Sequence, residues 1–352
     1  MMHFPVEEKY VKIMGRILKR EGVLYLGYSC SSIEFTFIGK RAEAVLWSDS
    51  PEFPDIHKAW IAVFVNDEKE PSRRFPLKKE EDSYVLYESD TGRETKLRLV
   101  KYSEAAFGKV GIKSLFIDGD IPPVPTKALP HRLEFIGDSI TCGYGNEGVW
   151  MTDIFTTAQE NPWEAYAAIT AGSLKADYQM VCWSGIGIIS NWTDQEVPNE
   201  EWLMPVLYPY TDKACDLTLR KEPEPWDFTR FVPDLIVVNL GTNDHSYTKN
   251  VPDRVAVFAS KYYEFLRQVR SCNPNSEILC TLGVMGQELC QTIKEQVDRL
   301  AAEGDQRFHY LSYEVQEAED GIGTDWHPSK LTHQKMAVKL ESKIREIMNW
   351  QD

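Results

Sequence analysis

From residue 22 to about 117, apolar and polar residues alternate in short runs: "GVLYLGYS", "SIEFTFIG", "AEAVLWSD", "AWIAVFVND", "DSYVLYES", "TKLRLVKYS" and "VGIKSLFIDG". In the second run Ile33, Phe35 and Phe37 share one face while Glu34 and Thr36 take the other, which is the period of a strand. Seven or so strands at this spacing predict an antiparallel β-sandwich of jelly-roll type. The stretch "DGDIPPVPTKALPHR" follows, and its prolines at 122, 123, 125 and 130 cannot continue a central strand or a helix. The domain boundary is expected there, with residues 1–125 before it and 126–352 after it.

Beyond the prolines the period changes. Apolar runs at "RLEFIG", "DYQMVCW", "PDLIVVNLG", "SEILCTLGV" and "FHYLSY" alternate with stretches of helical period. One of these is "WEAYAAITAGSLK" after Pro162. A second spans 253–270, with Phe258, Tyr262, Phe265, Leu266 and Val269 on one face, and a third near 329–349 carries Met336, Leu340, Ile344 and Ile347. Strands alternating with helices predict a three-layer, doubly wound α/β domain around a parallel sheet. In such a sheet ligands bind at the carboxyl ends of the strands, where loops converge and helix amino termini point.

Four short segments fall at those ends or just before the last helix: "IGDSI", "WSGIG", "GTNDHS" and "GTDWHPS". Each alone has an ordinary reading. Gly-Asp-Ser makes turns, Asn243 suits a left-handed turn position, Ser329 or Thr324 can cap a helix after His327, and Gly185 and Gly187 permit close packing. Together they supply what ester hydrolysis requires: a nucleophile in Ser139, a base in His327, and donors for a developing oxyanion. Those donors are the backbone N–H groups of Ser139 and Gly185 and the side-chain amide of Asn243. Asp138 is expected to bond its own loop rather than to take part in the chemistry.

Composition narrows the function classes. With 39 basic against 54 acidic residues the net charge is -15, which repels nucleic acid and anionic membrane surfaces. No apolar run approaches the roughly 20 residues of a spanning helix, and the start lacks a secretory pattern, so a cytoplasmic chain is expected. Seven cysteines and seven histidines show no metal-ligand spacing, so neither metal nor cofactor is expected.

The order of "GDS", the glycine of "SGIG", "GTND" and "DWHP" resembles the SGNH (GDSL-type) hydrolases, whose four blocks contribute Ser, Gly, Asn and His. The preceding sandwich, opening with "GRILKREGVLYLGYSCSSIEFTF", together with "DWHPS", is similar to carbohydrate esterase family 2, from about Met14 to Trp350. That resemblance implies removal of O-acetyl groups from plant cell-wall saccharides, chiefly acetylated xylan and glucomannan. In the wider superfamily the aspartate that orients histidine lies three residues before it, where this chain has Thr324. In the closer family the residue two before does so, by carboxylate or by backbone carbonyl. Asp325 is therefore the expected partner, and a Ser-His dyad helped by a carbonyl is the alternative. Trp326 is the best-placed sugar-stacking candidate, with Tyr144, Trp150 and Trp192 on loops that reach the same cleft. The sandwich is expected to be a scaffold rather than a separate binding module, and its edge strands favour self-association.

Two rivals remain on sequence. A lipase or thioesterase would need a long apolar groove, yet the loops "CGYGNEG", "NWTDQEVPNEE" and "DHSYTKN" are polar. A non-catalytic glycan-binding protein would not need nucleophile, base and oxyanion donors together.

Overall fold

The computed structural model describes residues 1–119 and 121–351; Asp120, within the proline-rich stretch, and the terminal Asp352 lie outside the described residues. Two compact units divide the chain. The first comprises Met1–Leu129 with Thr156–Glu160 and Thr211–Glu224, and the second holds the rest.

The first unit is antiparallel. Its strands are β1 (Met2–Phe4), β2 (Lys12–Met14), β3 (Ile17–Arg20), β4 (Val23–Leu26), β5 (Ser32–Trp47), β6 (Trp60–Val65), β7 (Arg73–Pro76), β8 (Glu81–Lys101), β9 (Val110–Asp118) and β10 (Val124–Pro125). They run in the order β3-β4-β9-β5-β8-β6-β7, with β1 on β9 and both β2 and β10 on β5. Two pairs of predicted runs prove to be single long strands: "SIEFTFIG" and "AEAVLWSD" in β5, "DSYVLYES" and "TKLRLVKYS" in β8. Register shifts between Gly39 and Arg41 and between Ala42 and Glu43 let β5 bend without ending. Its first half pairs with the second half of β8, and its second half with β9 and the first half of β8. Two long strands thus carry the pairing from one part of the ten-stranded sheet to the other through bulges. Ile33, Phe35, Leu97, Leu99, Val63 and Leu115 belong to the core of this unit.

The division between the two units falls between Leu129 and Pro130, a few residues past the expected end of the first domain at Pro125 and still within the proline-rich stretch; β10 pairs with β5, and Lys12 Nζ donates to the Lys127 carbonyl at 3.0 Å. Glu34, on the face opposite Phe35, is buried as well, held by Arg98 Nε at 2.5 Å. Neither inserted segment of the first unit was legible in the sequence. Thr157 Oγ1 donates to the Lys58 carbonyl at 2.8 Å, and Arg20 Nε donates to Asp216 at 2.9 Å, on the short helix Lys213–Thr218.

In the second unit five parallel strands, β11 (His131–Gly137), β12 (Ala176–Cys182), β13 (Leu235–Asn239), β14 (Glu277–Leu282) and β15 (Phe308–Ser312), run in the order β12-β11-β13-β14-β15. The helices used below are α1 (Ser139–Cys142), α2 (Tyr166–Ser173), α3 (Thr242–Thr248), α4 (Pro252–Cys272), α5 (Cys290–Ala302) and α6 (Lys330–Met348). The crossover from β11 to β12 runs one way along the sheet and those from β13 onward run the other. With one handedness for all crossovers, the helices fall on opposite faces, and α2 packs with α6. The reversal lies between β11 and β13, so the ends of those two strands open a crevice.

Candidate active site

Ser139 is the first residue of α1, directly beyond β11. Asp138 caps that helix, its Oδ1 accepting from the Ile140 N–H at 3.0 Å, and it is fully buried. Burial pushes its carboxyl up to about 7, against which the loop N–H groups pull. The loop-bonding role expected of Asp138 is thus what its contacts describe.

His327 comes from the other end of the chain. Pro328 follows it, and Ser329 caps α6 by accepting from the Thr332 N–H at 3.2 Å, so the histidine stands one turn ahead of a fixed helix start. Its Nε2 lies 2.8 Å from Ser139 Oγ. Its Nδ1 lies 3.1 Å from the Thr324 carbonyl. The Asp325 carboxylate instead accepts from the Tyr144 hydroxyl at 3.0 Å. The expected partner, the Asp325 side chain, is thus engaged by Tyr144, and the carbonyl that Nδ1 meets belongs to Thr324, three residues before the histidine rather than two. The cause is local: Asp325 and Trp326 both take left-handed backbone angles (φ 52° and 66°), folding the turn so that the Thr324 carbonyl meets the ring. Desolvation pulls the half-buried His327 down to about 4, while the Thr324 carbonyl and the charge of Asp325 act in the opposite direction.

The other two blocks close the site. Gly185 follows β12 at φ 78°, a conformation that L side chains rarely adopt, and a Cβ there would meet nothing within 4 Å. Asn243, on the first turn of α3 beyond β13, donates from Nδ2 to the Ile186 carbonyl at 2.9 Å and has only a long approach, 3.4 Å, to Asp138 Oδ2.

Ser139, Gly185, Asn243 and His327 line one cavity of about 710 Å³, together with Asp325, Tyr144 and Trp192. Tyr144 stacks on Phe155 with centroids 3.6 Å apart and lies 4.4 Å from the His327 ring. Trp192 is 61% exposed at the cavity wall. Trp150 and Trp326 do not line the cavity; they pack edge to face on each other at 4.4 Å and stay partly exposed. Sequence reasoning missed Met285, which lines the cavity from beyond β14. The signal was available, since "GVMG" is another strand end. Among the described residues no cluster of His, Cys, Asp or Glu could hold a metal, and no helix is long and apolar enough to cross a membrane.

Comparison with known proteins bears on this geometry. Residues 135–335 match the GDSL-like Lipase/Acylhydrolase family, and residues 13–125 match the Carbohydrate esterase 2 N-terminal family. The chain is 33% identical over 329 residues to the cellulase/esterase CelE of Acetivibrio thermocellus, covering 92% of this chain but only 38% of that longer protein. It is 28% identical over 347 residues to an acetylxylan esterase / glucomannan deacetylase of Cellvibrio japonicus, covering 97% of this chain and 90% of the relative. A solved family two carbohydrate esterase from Clostridium thermocellum, in complex with cellohexaose, superposes with a TM-score of 0.86 at 30% identity over 97% of this chain and 100% of that one. The chain belongs to the GDSL-like lipase/acylhydrolase family and, within it, to the family two carbohydrate esterases.

Proposed function

We propose that this chain is a serine esterase that removes O-acetyl groups from hemicellulose saccharides, acetylated xylan or glucomannan and their oligosaccharides, through an acetyl-serine intermediate. The observation that carries the reading is the 2.8 Å approach of His327 Nε2 to Ser139 Oγ at the wall of an open cavity. The names of the relatives supply the acetyl group and the hemicellulose backbone, and the cellohexaose held by the Clostridium thermocellum enzyme is a β-linked glucan of similar shape.

In the proposed reaction Ser139 Oγ attacks the acetyl carbonyl carbon while its proton passes to His327 Nε2. The Thr324 carbonyl accepts from Nδ1–H, which fixes the tautomer with Nε2 free to take that proton. Depression of the His327 pKa keeps the imidazole neutral at ordinary pH, as a base must be. The carbonyl oxygen, now negative, is met by the N–H groups of Ser139 and Gly185 and by the Asn243 amide, whose longer bond, 3.4 Å to Asp138 Oδ2, is the one given up to it. Collapse expels the sugar oxygen, which takes the proton from His327. Water then attacks the acetyl-serine by the same route, releasing acetate and restoring Ser139. The negative charge of Asp325 near the ring favours the imidazolium that forms twice per cycle. Tyr144 and Trp192 offer aromatic faces to the sugar.

Acetate release from acetylated xylo- and manno-oligosaccharides by the wild-type chain and by Ser139→Ala tests the reading. Release by the wild type that vanishes in the variant supports it and ranks the two sugars. Absence of release from both would return the chain to the glycan-binding alternative.

A further inference from the structure

The residue after Asn243 is the fully buried Asp244. Its Oδ1 accepts from three successive backbone N–H groups, Ile188 at 2.9 Å, Ile189 at 2.7 Å and Ser190 at 3.2 Å, and Oδ2 accepts again from Ile188 at 3.1 Å. Consecutive N–H groups converging on one oxygen form an anion nest, here filled by a side chain of the same protein. The loop is wrapped closely around it: a Cβ on Gly187 would lie 1.9 Å from the Ser190 carbonyl oxygen and 2.9 Å from Asp244 Oδ1. That loop begins with Gly185, and Trp192 closes it with an N–H to the Gly185 carbonyl at 2.8 Å.

Asn243 grips the same loop through the Ile186 carbonyl. Two adjacent side chains on the first turn of α3 therefore hold opposite polarities of one backbone segment, Asn243 as donor and Asp244 as acceptor. Nothing in the proposed reaction uses Asp244 directly, and burying a carboxylate is costly unless its bonds do something a neutral side chain could not.

We propose that Asp244 is a positioning residue for the oxyanion site, fixing the loop that presents the Gly185 N–H at a set distance from the Asn243 amide. The inference rests on the esterase reading above. An N–H aimed at an oxygen that becomes negative only in the transition state contributes to kcat, and little to ground-state affinity. Loosening the loop should therefore appear in kcat. It should also weaken tetrahedral adducts on Ser139, such as one formed by a small boronic acid, in proportion.

The test compares wild type, Asp244→Asn and Ser139→Ala with p-nitrophenyl acetate, counting active sites by the p-nitrophenol burst. In Asp244→Asn an amide N–H faces the Ile188 N–H in place of Oδ2 or, if the group is flipped, faces Ile189 and Ser190. The expected result is a fall in kcat per titrated site of about 10- to 100-fold, somewhat less than loss of a donor outright. KM should stay within about twofold, and boronic acid affinity should drop by a similar factor. A folded Asp244→Asn with wild-type kcat per site overturns the proposal. So does a loss confined to the number of titratable sites, which is what a merely structural carboxylate would give. Gly187→Ala, whose Cβ would press on the Ser190 carbonyl and on Asp244 Oδ1, displaces the same loop by a second route with the carboxylate retained, in case Asp244→Asn does not fold: a kcat-specific loss supports the proposal and an unchanged kcat overturns it. Wild-type chain that fails to cleave the ester at all would instead sink the esterase reading, so the two failures are distinguishable.

Discussion

Lys101 in the first unit and His327 in the second are both shifted by the same force, yet they are put to different use. Lys101 is completely buried, and desolvation pulls its ammonium down to about 8. Its Nζ donates to the Gly27 and Glu104 carbonyls, each at 2.7 Å, so the charge is committed to fixing the backbone. His327 is pulled down to about 4 by desolvation as well, but one nitrogen is held by a carbonyl while the other faces Ser139 in an open cavity. A displaced pKa identifies chemistry only where the group also keeps a reacting partner and access to substrate. The contrast extends to backbone geometry, since the left-handed turn at Asp325 and Trp326 is what brings a carbonyl to the histidine ring.

The sharpest break in this comparison is made at the nucleophile. Ser139→Ala or His327→Ala should lower kcat on the order of 10⁵- to 10⁶-fold while leaving the thermal midpoint nearly unchanged, measured by acetate release and a calorimetric scan. Removing one oxyanion donor comes next. Asn243→Ala should cost about 100- to 1,000-fold in kcat, and near-full activity in that variant would remove Asn243 from the assignment.

Lys101→Met should give the inverse pattern. Leaving two buried carbonyls unpaired should destabilise the fold by about 2–4 kcal/mol in urea titration, with kcat per folded molecule unaffected. A variant of normal stability and impaired kcat would erase the distinction drawn between Lys101 and His327.

Smaller effects sharpen the role of Asp325. With Thr324 holding the ring, Asp325→Ala should lower kcat only about 3- to 10-fold; a loss of about a thousand-fold would restore Asp325 as the direct partner. The acid limb of kcat/KM carries the same information. Since folded His327 binds its proton only below about pH 4, the neutral base is present above that value, and activity should fall as pH drops through it. Removing the Asp325 charge, which favours the imidazolium, should move that limb to still lower pH.

How much of this was legible depended on whether the feature has a side chain to announce it. Period-two runs located the sandwich and the change to strand–helix alternation located the parallel sheet, because both follow from which side chains must be buried. The bends in β5 and β8 were invisible, since a bulge is a shift of backbone pairing and Gly39 reads equally well as a turn. Ser139, Gly185, Asn243 and His327 were found together because a doubly wound sheet brings its strand ends to one edge, and those residue types suit one reaction. Trp326 was expected in the cleft by its place in the sequence, and the structure gives its ring to Trp150 instead.

By itself the sequence determined the order of the two folds, the strand ends that carry reactive groups and the family to which they belong. These depend on local pattern and residue identity. The tertiary structure alone decided that a Thr324 carbonyl meets His327, that segments 156–160 and 211–224 join the first unit, and that Asp244 gathers the loop bearing Gly185. The first and last of these are contacts made by backbone N–H or C=O groups. Such groups are nearly the same at every residue, so only the path of the folded chain determines which of them meet.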